Sequence, residues 1–196
     1  MRKAIFAAIL FAVVAPAAFA QDEYKRGTFG VQYNHNRVDT GGAFDPTGTS
    51  DDREGFNGVG VNAGYNFHKF VGAEFDFSHV RKDVSTTVAG TTFNIDGRLT
   101  QFLGGVRLQD NRTETNVRPF ARALVGLAHA SADVNSALVT ADDSETGFGA
   151  EIGGGLDIKL NDNIDVTAIS VGYNPTCLED QTQHNIKIGV GIRFRF

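Results

Sequence analysis

Near the middle of the chain stand three residues of the types that acyl transfer requires: His129, Ser131 and Glu145. A serine hydroxyl is a weak nucleophile until a base takes its proton, and that base needs a third group to orient it. The stretch "AHASAD" (128–133) supplies base and hydroxyl two residues apart. It offers no neighbouring polar residue to donate to an oxyanion. The plainer reading is a polar strand end, and no catalytic residue is assigned. Gly58-x-Gly60-x-x-Ala63 has the spacing of a dinucleotide fingerprint, but it lies inside an alternating strand with no helix following, so the mechanism of that motif is missing. The histidines (His35, His68, His79, His129 and His184) form no pair with metal-ligand spacing to acid or cysteine partners. Neither metal nor cofactor is expected.

What remains is electrostatics. Glu74, Asp76, Glu151, Asp157, Lys159, Lys187, Arg193 and Arg195 alternate with apolar residues along extended stretches, sharing a face with glycine and asparagine. A second group is acidic: Asp45, Asp51, Asp52 and Glu54 fall in 39–55, and Asp142, Asp143 and Glu145 in 131–146. Such a group suits a solvated loop, or divalent cations shared with a neighbouring anionic lipid, or a basic partner.

The elements that must position these charges are strands. Period-two alternation runs through "TFGVQYN" (28–34), "GVGVNAGYNF" (58–67), "VGAEFDF" (71–77), "FGAEIGGGLDIKL" (148–160) and "NIKIGVGIRFRF" (185–196). Segments near 93–108, 117–130 and 164–173 alternate less cleanly but are rich in strand formers, which brings the count to eight. Pro46 and Pro175 read as loop residues, and Pro119 as the start of a strand, where a missing N–H is tolerated. Connections are short at 68–69 and 161–163 and medium at 109–116; longer polar ones are expected at 39–55, 81–92, 131–146 and 174–184. Short turns at one end and long loops at the other describe an up-and-down meander.

The first twenty residues stand apart. Arg2 and Lys3 precede the apolar run "AIFAAILFAVVA", and Ala18-Phe19-Ala20 has the small-residue pattern of a cleavage site. Residues 1–20 are therefore expected to be a signal peptide and 21–196 the folded domain. No cysteine lies near the cut, which argues against a lipoprotein. Removing the leader leaves 176 residues (196 less 20) at about −7, because Arg2 and Lys3 go with it. That balance argues against a nucleic-acid partner, and the single cysteine, Cys177, excludes an intrachain disulfide. No later run approaches the ~18 apolar residues of a membrane helix.

The polar face decides what surrounds the sheet. It is glycine, asparagine and charges of both signs rather than the Lys/Glu-rich surface of a soluble barrel, and it suits the tight interior of eight strands. The apolar face carries Phe29, Tyr33, Tyr65, Phe67, Phe75, Phe77, Phe148, Phe194 and Phe196, several near strand ends where membrane barrels wear aromatic girdles. The expected fold is all-β: an eight-stranded antiparallel up-and-down transmembrane β-barrel.

With its signal peptide, "TQFLGGVRL" (100–108), "RPFARALVGLAHA" (118–130), "FGAEIGGGLDIKL" and terminal "GIRFRF", the chain resembles the small outer-membrane β-barrel family of Gram-negative bacteria, the OmpA-transmembrane and opacity-like, porin-superfamily surface proteins. The resemblance covers the whole chain after residue 20. It implies outer-membrane localisation, contact with lipid and lipopolysaccharide, and a strand ending in phenylalanine (Phe194, Phe196) that the outer-membrane assembly machinery reads. It also implies a non-catalytic structural or surface-interaction role through four extracellular loops. A narrow porin-like channel is the alternative. A lipid A deacylase of the small-barrel class, which uses a His-x-Ser pair on the outer wall, comes third. Relatives that grip peptidoglycan do so through an added periplasmic domain; residues 21–196 are expected to form the barrel alone, so that role is not expected of them.

Overall fold

In the computed structural model, which describes residues 24–39, 53–88, 91–136, 140–178 and 181–196, the alternation becomes a wall. The eight strands are β1 (Gly27–Asp39), β2 (Arg53–His68), β3 (Val71–Val88), β4 (Thr91–Gln109), β5 (Val117–Ser136), β6 (Thr140–Asn161), β7 (Ile164–Leu178) and β8 (Gln181–Arg195). Each pairs antiparallel with the next, and β8 returns to β1 to close a barrel with no free edge. No α-helix occurs among the described residues. Closure is staggered, as a tilted barrel requires. A single row of paired residues runs Val166, Ile192, Val31, Val61, Phe77, Phe102, Leu127, Phe148, Cys177. It begins near one end of β7 and finishes near the other.

The polarity is inverted relative to a water-soluble protein. On β1, Gln32, Asn34 and Asn36 are buried, whereas Val31 and Tyr33 are 44% and 52% exposed. Phe67, Phe75, Phe102, Leu127 and Ile152 also stand outward and bare. An isolated apolar patch is common on a protein surface, but a continuous apolar wall around a polar inside marks a molecule whose solvent is hydrocarbon.

At the end carrying both termini, the connections are brief, at Lys69-Phe70 and Asp162-Asn163, with a longer one over 110–116. At the far end the structure departs from the expected loops. Strands run through most of 81–92, 131–146 and 174–184, leaving only 89–90, 137–139 and 179–180 outside the described residues. Both faces of these extensions are largely polar, so they lack the alternation that marks a strand in the membrane, although the backbone pairs onward. Residues 40–52, with Pro46, Asp45, Asp51 and Asp52, and residues 1–20, expected to be a signal peptide, lie outside the described residues.

Pro175, expected in a loop, sits within β7. The β6–β7 pairing skips its position opposite Ala150, and the Asn174 side-chain amide donates to the Ala150 carbonyl at 2.8 Å instead. Above the polar interior, Val38, Phe56, Val80, Leu99 and Ala128 form an apolar plug, with Ala130 packed on it.

Candidate functional site

The interior has layers, each set by which residues alternate inward. Nearest the termini lies a network of ions. Glu74 on β3 accepts from Arg107 (3.1 Å), Arg122 (3.1 Å) and Arg193 (2.9 Å). Asp76 and Glu151 share Lys187 at 2.8 and 3.2 Å, and Arg122 also reaches Glu151. Asp157 takes Arg107 at 2.7 Å, Gln109 at 2.8 Å and the Thr167 hydroxyl at 2.7 Å. Asp165 takes Arg118 at 2.6 Å, with Arg195 at 3.5 Å. All are buried.

Arg107 and Arg122 lie directly opposite each other on β4 and β5. Like charges so placed repel, and Glu74 between them makes the arrangement tenable. Arg107 also stacks over the Phe120 ring, 3.5 Å from its centroid. Because a lone buried charge costs several kcal/mol, such clusters persist only when each ion has partners.

The sequence reading placed Glu74, Asp76, Glu151, Asp157, Lys187, Arg193 and Arg195 on the inner face, and they meet there. Lys159 does not join them. It lies at the terminal end of β6, two residues beyond Asp157, and pairs at the rim with Asp162 at 2.7 Å and the Thr113 carbonyl at 2.8 Å. Sequence reasoning missed Arg107, Arg118, Arg122 and Asp165, all in the segments with ragged alternation. A signal was present: Arg118, Phe120, Arg122 and Leu124 keep strict period two.

Midway, Gln101 donates to Asn174 at 2.8 Å and Asn185 to Thr176 at 3.1 Å. Glycines make room for these amides: a Cβ on Gly60 or Gly189 would come within 2.6 or 2.8 Å of the Asn34 side chain. Beyond the apolar plug is a recess of about 190 Å³ bordered by Phe56, Leu99, Leu178, Asp143 and Glu145.

The turn over 110–116 folds beneath the ions. Arg195 donates to the Asn111 carbonyl (2.6 Å), Arg118 to that of Arg112 (3.2 Å) and Lys159 to that of Thr113 (2.8 Å). Asn111 is consequently buried. Within this turn, hydrogen bonds from the Arg112 guanidinium hold the Asp110 carboxyl down at about 2, helped by the Thr115 hydroxyl.

The acyl-transfer constellation is not assembled. His129 and Ser131 face outward, and His129 Nδ1 meets the Thr146 hydroxyl at 2.8 Å. Glu145 lies opposite Ala130 and so belongs to the other face. Of the acidic residues expected in loops, Glu54 is in β2 and ion-paired with Lys82, while Asp142, Asp143 and Glu145 are in β6. Phe194 faces outward, 43% exposed. Phe196 pairs with Gly27 through both backbone hydrogen bonds, at 2.8 and 3.0 Å.

An apolar outer wall, a closed meander of eight strands and an ion-filled interior define a small outer-membrane β-barrel. The outer-membrane-protein β-barrel domain family matches residues 4–194, and the chain belongs to it. Sequence comparison with curated proteins gives no match. Among solved structures, the fold is similar to Ail, the attachment invasion locus protein of Yersinia pestis (TM-score 0.63, 19% identity, 88% of this chain and 99% of that one). It is also similar to a major outer membrane protein from Thermus thermophilus (0.55, 12%, 87% and 99%) and to Neisserial surface protein A (0.53, 14%, 87% and 97%). At these identities the likeness is one of fold.

Proposed function

We propose that this outer-membrane barrel works without catalysis, as a structural and surface-interaction protein that presents the outer ends of its strands, with the 40–52 segment, to the cell exterior. The observation that carries this reading is the closed interior. Paired ions fill the lower half, the 110–116 turn covers the end near the termini and apolar side chains plug the other. A solute would have to break several buried ion pairs to pass. Both termini then face the periplasm, residues 1–20 act as a cleaved export signal, and Phe194 and Phe196 serve the assembly machinery.

The Ail barrel has been solved with the heparin analogue sucrose octasulfate. This chain carries Asp142 and Asp143 on the far end of β6, and Asp45, Asp51 and Asp52 in the sequence between β1 and β2, so a basic partner, or one bridged by divalent cations, suits it better than a polyanion. Ion conductance of the refolded protein in a planar bilayer tests the closed interior. Silence from protein verified as folded is expected. Discrete steps that change in Glu74→Gln or Lys187→Gln would overturn the reading in favour of a narrow pore.

A further inference from the structure

The outer wall of β3 and β4 changes character in steps that follow the register. Going away from the termini, the outward pairs are Phe75–Gly104, Phe77–Phe102, His79–Thr100, Arg81–Arg98 and Asp83–Asp96. The order is apolar, apolar, neutral polar, cationic, acidic. Phe77 and Phe102 are 42% and 58% exposed and belong to the hydrocarbon-facing belt. His79 Nδ1 and the Thr100 hydroxyl meet at 2.8 Å just above it. Four residues separate Phe77 from Arg81. At ~3.3 Å per residue and a tilt near 45°, that is about 9 Å of height, which reaches the headgroup layer outside the hydrocarbon.

Two arginines abreast repel each other, as do aspartates abreast. A surface built to neutralise itself would alternate signs along each row, and this one segregates them. The acidic row runs Asp83, Asp96, Asp133, Asp142 across four strands. The arginines touch that row without being buried by it: Arg81 is 3.5 Å from Asp83, both exposed, and Arg98 pairs with Asp133 at 3.0 Å through one nitrogen while its side chain stays half exposed. Exposed pairs of this kind contribute little. Each guanidinium has five donors in a planar fork that matches phosphate.

We propose that Arg81 and Arg98, with His79 and Thr100 beneath them, form a docking site for the phosphate of an anionic outer-leaflet lipid, whose acyl chains lie along Phe75, Phe77 and Phe102. The occupant is a lipid rather than a soluble phosphate because the cationic pair rises directly from the apolar belt. The acidic row above it bars the phosphate from standing higher. This site is independent of whatever the outer strand ends bind.

The test uses the full barrel refolded in mixed micelles containing bis-phosphorylated lipid A, with retained lipid counted by native mass spectrometry. The Arg81→Gln/Arg98→Gln double variant is expected to retain about ten-fold less lipid A, the scale of one lost charge-assisted contact. A charge-matched Lys25→Gln/Lys69→Gln variant at the opposite rim is expected to retain it unchanged. Heat-dependent gel mobility verifies folding of both. Equal retention by the arginine variant, an equal loss in both variants, or equal wild-type retention of dephosphorylated lipid A would each overturn the site.

Discussion

At the scale of single residues, the interior is a set of buried ions that depend on one another. Glu74 accepts from three arginines at once, and two of these stand side by side. Glu74→Gln keeps the shape, removes the charge and leaves Arg107 and Arg122 facing each other. Breaking a buried cluster by removing one member costs about 3–5 kcal/mol, and urea unfolding from lipid vesicles should register that loss. Asp142→Asn on the outer extension should change stability by no more than about 0.5 kcal/mol. The rim offers a pH test. Asp110 titrates at about 2 because of Arg112, below its ordinary value of 3.8. Its folded pKa is depressed, so the unfolded chain takes up the proton first on acidification. The stabilisation is present above pH ~4 and disappears between ~4 and ~2. Arg112→Ala should move the Asp110 midpoint up to about 4, read from its carboxyl carbon shift by NMR.

At the scale of the strand, β7 carries a proline that a ladder ought to reject. The Asn174 amide supplies the donor that Pro175 lacks, and its carbonyl also accepts from Gln101. Asn174→Ala therefore strands the buried Gln101 amide and the part-buried Ala150 carbonyl and should cost about 1–3 kcal/mol. Adding Pro175→Thr restores a backbone N–H toward Ala150 and should recover part of the loss, whereas purely additive effects would show that the amide does not substitute for the ladder. Strands within the membrane were legible because hydrocarbon outside and ions inside impose a period of two. The fold follows from that pattern; the family was legible only as a resemblance, carried by stretches such as the terminal "GIRFRF". The interior was half legible: β3, β6 and β8 displayed their charges between glycines, but Arg118 and Arg122 alternate with Phe120 and Leu124, so their inner face did not look polar. The outer extensions were illegible for a different reason. With water on both sides, nothing selects one face over the other, and a paired strand reads as a polar loop.

For the whole molecule, length separates what the membrane needs from what it does not. Crossing takes about 9–11 tilted residues, while β3, β4, β5 and β6 have 18, 19, 20 and 22. Roughly half of each lies beyond the bilayer, where backbone hydrogen bonds compete with water and contribute little to the fold. The barrel below is closed and ion-paired without them. Replacing 83–96 and 133–142 by two-residue Asn-Gly turns joins Lys82 to Gly97 and Ala132 to Asp143, pairs already in register. The shortened protein should fold, keep its heat-dependent shift in gel mobility and stay silent in a planar bilayer. It should also retain lipid A, because Arg81 and Arg98 remain. Failure to fold would mean that the extensions hold the barrel together. A barrel that folds and still holds lipid would place lipid recognition in the wall rather than in the strand ends.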